Sequence, residues 1–207
     1  MKNIIGITLG LTIVLGIVII VVVSGSESKQ VAKDSVVENY ETVERVIYTR
    51  LETFSFEESV NKADLVAEVV IGKNIDDISE PSPKTLFEAN IINTFSGDPH
   101  QTNIQILQQG NKEYSFNSNK LFNEDEKYIL VLKKAVEDRY EGTNTYWILG
   151  EETNIYTIIG DNKIKKMSIE DEFLKEVEIK DEDLESQLLD KNLFEEKIKK
   201  VMSEQNK

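Results

Sequence analysis

Residues 127–134 read KYILVLKK, and they carry the strongest strand signal in the chain. The apolar side chains alternate between two faces: Tyr128, Leu130 and Leu132 on one, Ile129 and Val131 on the other. A polar run, NEDE, comes directly before the alternation and contains residues typical of a turn. Alternation with a period of two next to a polar turn predicts a β-strand.

Strand patterns of the same kind lie on both sides of this segment. They cover residues 65–72, 85–95, 103–110, 146–150 and 155–160, with a short edge strand at 114–116 and a hairpin turn at 161–162. Pro81 and Pro83 place a loop at 74–84, because proline cannot donate to a central ladder. No helical pattern is interleaved. We therefore expect a mainly β protein, a small antiparallel barrel, rather than alternating strands and helices.

The alternation also predicts which side chains form the barrel interior. In residues 65–72 one face carries Leu65, Ala67, Val69 and Ile71. In residues 85–95 one face carries Phe87, Ala89, Ile91 and Phe95. Apolar side chains on one face of each strand are typical of a half-buried sheet.

Helical signals lie at the two ends of the barrel segment. Ser55 and Glu58 fit a capping box, with Val60 and Ala63 facing inward. Near the C-terminus we expect Ser168 to cap a helix, and apolar residues continue at helical spacing: Ile169, Phe173, Val177, Leu184, Leu188, Phe194, Ile198 and Val201. This stripe predicts helices that pack on the barrel, and association with another helix is the alternative.

Residues 4–23 contain twenty residues without a charge, enough for a helix that spans about 30 Å of hydrocarbon. We expect an uncleaved single-pass anchor, since the run is longer than a signal-peptide core; cleavage near Ser24 is the alternative. Lys2 lies before the run, and Lys29 and Lys33 lie after it. The numbers of basic residues on the two sides are nearly equal, so they do not decide the orientation in the membrane. The three-residue tail is typical of a signal-anchor, which favours a cell-membrane protein with its domain outside.

The expected organisation has five parts. They are an N-terminal tail at 1–3, the anchor at 4–23, a stalk at 24–53, the barrel domain at 54–167 and an acidic helical tail at 168–207. The stalk carries apolar residues at helical spacing, so we expect it to be helical, although residues 43–53 are also rich in β-branched and aromatic residues.

Composition excludes several classes of function. The 207 residues include no Cys and one His, which rules out disulfides, thiolate metal sites and thiol nucleophiles within the chain. The net charge is −14, and phosphate recognition depends on basic side chains, so we expect no nucleic-acid partner. Since Lys2 is the one charged residue in 1–23, the acidity belongs to the remainder of the chain.

The residues 55–166 resemble a family of exported or membrane-anchored bacterial proteins, often from Gram-positive organisms and mostly of unknown function. The resemblance is carried by SFEESVNKADLVAEVVIG, FEANIINTFSGD, IQILQQG, LFNEDEKYILVLKK and YWILG. It implies an OB-type barrel similar to that of tissue inhibitors of metalloproteinases and netrins. Those inhibitors bind protease zinc through an N-terminal Cys, and this chain has none, so the resemblance does not extend to that mechanism.

No assembled catalytic set is visible in the sequence. The single imidazole, His100, lies in a turn, and no nucleophile elbow or phosphate loop is present. Glu68 and Glu88 are the acids within strands, and a pair of carboxylates could support hydrolysis. The acidic turns at 76–77 and 124–126 lack the spacing of a calcium loop. We expect no enzyme activity, cofactor or metal, with a carboxylate-based cell-envelope hydrolase as the alternative.

Aromatic residues near strand ends are the candidates for binding. They are Tyr114, Phe116, Tyr140, Tyr146 and Trp147, although rings in a small barrel more often fill its core. Tyr146 and Trp147 point to opposite faces, so one of these two rings is expected outside. We interpret the chain as a non-enzymatic, extracytoplasmic binding module whose partners are the lipid bilayer, through residues 4–23, and an envelope protein or a neutral glycan.

Overall fold

The computed structural model describes residues 45–50, 52–117, 119–167, 170–179 and 186–205. Five strands close into a barrel, and five others extend it or lie beside it. In chain order the strands are β1 (Arg45–Ile47), β2 (Leu65–Ile78), β3 (Lys84–Ser96), β4 (Asn103–Gln109), β5 (Tyr114–Phe116), β6 (Lys127–Lys134), β7 (Thr145–Ile148), β8 (Ile155–Gly160), β9 (Lys163–Lys166) and β10 (Leu188–Asp190). The helices are α1 (Phe56–Lys62) and α2 (Lys191–Gln205), with 3-10 turns at Asp138–Tyr140, Glu151–Asn154 and Glu172–Val177.

The barrel follows the order β2–β3–β4–β7–β6 and closes through the pairing of β6 with β2. Four of the five pairings are antiparallel, and the pairing of β4 with β7 is parallel. The sequence predicted a barrel, and this is confirmed; the expectation of a wholly antiparallel one is wrong at this pair. β8, β9 and β10 continue the sheet outward from β6, while β1 and β5 form a separate parallel pair.

The barrel interior is filled by the faces that alternation predicted. Leu130 and Leu132 of β6 meet Ala67 and Val69 of β2 there, and none of these four side chains is more than 1% exposed. Burying a leucine or valine side chain stabilises the fold by roughly 1.5–3 kcal/mol. β6 is apolar on both faces because Ile129 and Val131 fill a second cluster outside the barrel.

Two bulges in β3 change the predicted face of its last residues. Between Val66 and Ala67, β3 contains one residue more than β2, and another extra residue occurs between Glu68 and Val69. An extra residue at a bulge reverses the alternation after it. Phe95 therefore packs in the outer cluster, not in the interior with Phe87, and Ile92 is half exposed.

The second cluster lies between the barrel wall and the two helices. Phe194 and Ile198 of α2 and Phe56 of α1 are fully buried against β6, β8 and β9. The ring of Phe194 lies 5.2 Å from that of Phe56 and 4.6 Å from that of Tyr156. The predicted cap is present, since Ser55 Oγ accepts from the Glu58 amide at 3.2 Å.

The C-terminal residues differ from the helical expectation. Leu188–Asp190 form β10, which pairs with β9, and Glu172–Val177 form a 3-10 turn. Most of the described stripe packs on the barrel, since Leu188, Phe194 and Ile198 are at most 3% exposed, whereas Phe173 is 50% exposed. The three buried side chains are therefore not available for association with another helix.

Two further expectations need correction. Arg45–Ile47 of the predicted helical stalk is a strand, in the part where β-branched residues are frequent. The predicted loop at 74–84 is mostly strand, because β2 runs to Ile78 and pairs with the start of β3, and the turn that contains both prolines is short. The predicted tail at 1–3 and anchor at 4–23 lie outside the described residues. So do residues 24–44 and Leu51 of the stalk, and Ser168, Ile169 and Leu184 of the predicted C-terminal helices. Within the described part, no helix is both long and apolar enough to cross a membrane.

Candidate functional site

The outer face of β3, β4 and β7 differs from the helix-covered wall. The register aligns outward side chains in rows across the strands: Lys84 with Gln109, Leu86 with Leu107 and Trp147, Glu88 with Gln105 and Thr145, and Asn90 with Asn103. The middle row is apolar and both ends are polar. This face therefore presents a polar region at each end, and an apolar band separates the two regions.

One end of the face forms an open groove of about 430 Å³. It is lined by Glu88, Ala89, Asn90, Asn103, Ile104, Gln105, Thr143 and Asn144. This volume lies within the roughly 300–1,000 Å³ range of small-molecule sites. Four of the lining side chains are amides, and one is charged, so hydrogen bonding dominates the chemistry of this groove, which we call the amide groove.

Hydrogen bonds fix the orientation of the groove's polar groups. The Thr145 hydroxyl donates to Gln105 Oε1 at 2.8 Å and lies 2.7 Å from the Thr143 hydroxyl. Lys134 Nζ donates to Asn144 Oδ1 at 3.3 Å. Each amide oxygen therefore accepts a hydrogen bond, and the amide N–H groups of Gln105 and Asn144 donate to no acceptor among the described residues.

The two remaining amides complement these donors. Asn103 Nδ2 donates to Thr102 Oγ1 at 3.1 Å, so the carbonyl oxygen of Asn103 is available as an acceptor. Asn90 is exposed, and its side chain has no hydrogen bond within the described residues. The groove therefore offers both donors and acceptors, set on two strands and on the loop before β7.

The apolar band in the middle of the face is covered by residues 135–140. Tyr140 and Ala135 pack with Leu86 and Leu107, and Trp147 lies against this cluster. Lys84 Nζ lies 4.9 Å from the centre of the Trp147 ring, and burial lowers the pKa of Lys84. Ala135 and Tyr140 pack in the cluster, whereas residues 136–139 between them are exposed. The chain then returns through Thr143 and Asn144 to the amide groove.

The opposite end of the face opens into a second cavity of about 330 Å³. Its wall combines the segment after β1 with the end of β7 and the turn that follows: Thr49, Arg50, Glu52, Phe54, Gln109, Lys133, Trp147, Ile148, Leu149, Gly150 and Glu151. We call it the Glu151 cavity, after the buried acid in its wall.

Glu151 is held in the 3-10 turn after β7 and is 6% exposed. Its backbone adopts φ 47°, a left-handed conformation that non-glycine residues seldom take. Burial raises the pKa of Glu151 to about 8, against a backbone hydrogen bond from Gln109 and the charge of Lys84, which both lower it. Within the described residues the buried Oε2 atom has no hydrogen-bond partner.

The five predicted aromatic residues occupy three different environments. Tyr146 points into the barrel and donates its hydroxyl to Gln101 Oε1 at 3.0 Å. Tyr140 and Trp147 come together in the apolar band. Phe116 is buried and Tyr114 half-buried on β5, where Arg45 donates to the Tyr114 hydroxyl at 2.9 Å. Trp147 and Tyr114 are the two that keep a partly exposed ring.

The two strand acids do not share a cavity. Glu88 lines the amide groove, whereas Glu68 forms an ion pair with Lys191 at 3.0 Å, and Lys191 also contacts Glu195. Of the acidic turns, Asp77 pairs with Lys112, and Glu126 accepts from Tyr128 and from the Asn123 amide. Among the described residues no group of three or more metal-ligating side chains converges. His100 is exposed in its turn.

Comparison of the chain with models of known protein families and with curated proteins shows no match.

Sequence reasoning missed both cavities, for different reasons. The amides of the groove lie at alternate positions on β3 and β4, and such residues read as an ordinary solvent-facing row. Glu151 belongs to a run of polar residues that reads as a turn, and its burial depends on contacts with β4 and with the segment after β1. The local sequence carries no signal for that packing.

Proposed function

We propose that the protein is a non-enzymatic binding module of the cell envelope, with a neutral, hydroxyl-rich glycan as the ligand of the amide groove. The observation that carries the proposal is that four amides line one groove and that hydrogen bonds orient three of them, Asn103, Gln105 and Asn144. A sugar hydroxyl both donates and accepts, and it matches a surface that presents amide N–H groups next to carbonyl oxygens.

Charge supports a neutral ligand over an anionic one. The chain carries −14, and the charged residue that lines the groove is an acid, Glu88. Nucleic acids and anionic wall polymers need basic contacts, and Lys134 turns its ammonium group to Asn144 and to the Thr143 carbonyl. A neutral polymer avoids this repulsion.

The barrel topology supports the same proposal. Taking β2, β3, β4, β6 and β7 as five consecutive strands, the order is 1-2-3-5-4-1 with a parallel pair of the third and fifth. We infer that the barrel is of OB type, as the resemblance implies. OB-type barrels bind oligonucleotides and oligosaccharides on the face of their second and third strands, which are β3 and β4 here.

In this proposal residues 4–23 anchor the protein in the membrane as a single span and the barrel lies outside the cell. Surface protease treatment of intact cells tests the orientation. Loss of a C-terminal tag supports the outside position, and a tag that stays protected contradicts it.

Binding is tested by calorimetry of the full chain with neutral oligosaccharides, for which chitotetraose, cellotetraose and maltotetraose are suitable probes. Asn90→Ala removes the amide that has no internal partner, and we expect it to weaken binding at least tenfold. Asn93→Ala is the matched control, because it is the same exchange at an exposed position of the same strand, outside the groove.

Equal binding by the two variants would contradict the assignment to the groove. If no neutral oligosaccharide binds, the glycan proposal fails. Crosslinking in native membranes then tests the alternative, in which an envelope protein occupies the face.

A further inference from the structure

Glu88 is the charged residue that lines the amide groove, and its carboxylate has no partner in the described part of the chain. The side chain is exposed and forms no hydrogen bond or ion pair with a described residue. By contrast, Glu68 on β2 is paired with Lys191 at 3.0 Å. Both carboxylate oxygens of Glu88 are therefore available to a ligand of the groove, and each can accept more than one hydrogen bond.

The outer surface of β2 next to this carboxylate carries little side-chain bulk. Val70 pairs with Asn90 of β3, and Ile71, the next residue, points into the barrel. Gly72 follows on the outer face, and a Cβ at this position would lie 3.1 Å from the Cβ of Glu88. Because glycine has no Cβ, a strip of β2 stays open beside Glu88, and a sugar ring at the carboxylate has room to extend over it.

We propose that Glu88 determines which glycan the amide groove takes: its carboxylate accepts hydrogen bonds from two neighbouring hydroxyls of one sugar, so the groove selects glycans with a free vicinal diol. This inference rests on the proposed glycan-binding function and names the class of ligand for the same site. No covalent bond is made or broken in the binding step.

A carboxylate matches two neighbouring hydroxyls better than one. An ionised carboxylate only accepts hydrogen bonds, and its two oxygens lie side by side. Hydrogen bonds to an ionised acceptor are roughly twice as strong as those between neutral groups. A vicinal diol donates one hydrogen bond to each oxygen of Glu88, whereas a single hydroxyl leaves one of the two oxygens without a donor.

Gln105 supplies the complementary donor on the neighbouring strand. It pairs directly with Glu88 in the register of β3 and β4, and its Oε1 atom accepts from the Thr145 hydroxyl at 2.8 Å. Its amide N–H group donates to no acceptor among the described residues. A sugar hydroxyl that donates to Glu88 can accept from Gln105 through its own oxygen, so both of its hydrogen-bonding functions are used.

The other charge types of glycan fit this pair of residues less well. An acidic sugar places a second negative charge beside Glu88, and the net charge of −14 adds to the repulsion. The ammonium group of an amino sugar is attracted to Glu88, but it only donates and offers nothing to the N–H group of Gln105. A diol provides both the donors and the acceptor.

Calorimetry of the full chain with cellotetraose, and with cellotetraose methylated at every O2 and O3, tests the inference. The methylated form keeps the sugar, the linkage and the charge but has no vicinal diol. We expect it to bind wild type at least about tenfold more weakly, as the loss of a hydrogen bond to a charged group predicts. Glu88→Gln should weaken cellotetraose binding by a similar factor and bring the two glycans within a few-fold of each other.

Two further variants separate the carboxylate from the net charge of the chain. Glu141→Gln removes the same charge at an exposed position outside the groove and should bind cellotetraose as wild type does. Gly72→Ala keeps Glu88 but introduces the Cβ that would lie 3.1 Å from it, and should weaken binding several-fold. Circular dichroism establishes that each variant is folded.

The outcomes distinguish this inference from the proposed function. If the methylated glycan binds as well as cellotetraose, or if Glu88→Gln leaves their difference unchanged, the diol assignment is overturned while glycan binding stands. Tighter binding of a glucosamine tetraose with free amino groups, lost in Glu88→Gln, would assign Glu88 to an ammonium group and would also overturn it. No binding of any of these glycans would contradict both the inference and the proposed function.

Discussion

The barrel wall has two sides that differ in what packs against them. On one side α1 and α2 cover β6, β8 and β9 with fully buried rings and aliphatic side chains. On the other side β3, β4 and β7 carry a narrow apolar band between an exposed amide groove and a buried acid. The difference indicates that the covered side mainly stabilises the fold, while the other side retains groups that do not contribute to stability.

The largest expected effect concerns the covered side. Phe194→Ala removes a fully buried ring that contacts Phe56 and Tyr156, and we expect it to lower the free energy of unfolding by about 3–5 kcal/mol. Leu193→Ala, at the next position of the same helix and 45% exposed, should cost less than about 1 kcal/mol. Chemical denaturation measures both, and equal losses would contradict the assignment of stability to this side.

The next effect concerns the buried acid on the other side. The pKa of Glu151 is raised from 4.5 to about 8 in the folded protein. Between pH 4.5 and about pH 8, Glu151 is ionised in the unfolded chain and protonated in the folded protein. The free energy of unfolding therefore falls as the pH rises through this range. The slope is about 1.4 kcal/mol per pH unit, or a few kcal/mol between pH 5 and pH 8.

Glu151→Gln should remove this decrease, because the amide does not titrate. Denaturation of wild type and variant at pH 5, 6, 7 and 8 measures the difference, with Glu204→Gln as an exposed control. Parallel curves for wild type and Glu151→Gln would show that the carboxyl is not held in its neutral form.

A smaller effect is expected at the start of α1, which helps to cover the wall. Ser55→Ala removes the acceptor for the Glu58 amide and should cost about 1 kcal/mol. Ser55→Asp provides another side-chain oxygen and should restore most of that stability. Thermal unfolding of the three proteins tests the contact, and a similar loss in Ser55→Asp would argue against the cap.

The smallest effect on stability is expected in the amide groove. Asn90→Ala and Asn93→Ala should each change the free energy of unfolding by less than about 0.5 kcal/mol, since both residues are exposed. Denaturation curves that overlay with wild type are the expected result. A loss of more than about 1 kcal/mol in Asn90→Ala would assign this residue to the fold and not to binding.

The sequence predicts the side covered by α1 and α2 better than the face of β3, β4 and β7. Alternation in residues 127–134 and 65–71 places the interior and exterior side chains of β6 and β2 correctly. Phe95 is misplaced because a bulge cannot be counted from alternation alone. Leu188 fits a helical stripe as well as a strand, and its pairing with β9 decides between them.

The candidate site depends more strongly on tertiary contacts. The sequence identifies Trp147 as a candidate binding residue, and its partly exposed side chain lines the Glu151 cavity. Asn90 and Gln105 face solvent in a pattern that any half-exposed strand shows, and only the closure of β4 on β7 brings Thr143 and Asn144 beside them. The burial of Glu151 likewise follows from long-range packing, which residues 151–154 alone do not encode.

The most direct test of the binding proposal is a two-dimensional amide NMR titration of the full chain with the neutral oligosaccharide that binds best. The expected result is a set of shifted resonances confined to the side-chain amides of Asn90, Asn103, Gln105 and Asn144 and to their neighbouring backbone. Shifts concentrated on α1, α2 and β9, or none at saturating oligosaccharide, would contradict the assignment of binding to the face of β3, β4 and β7.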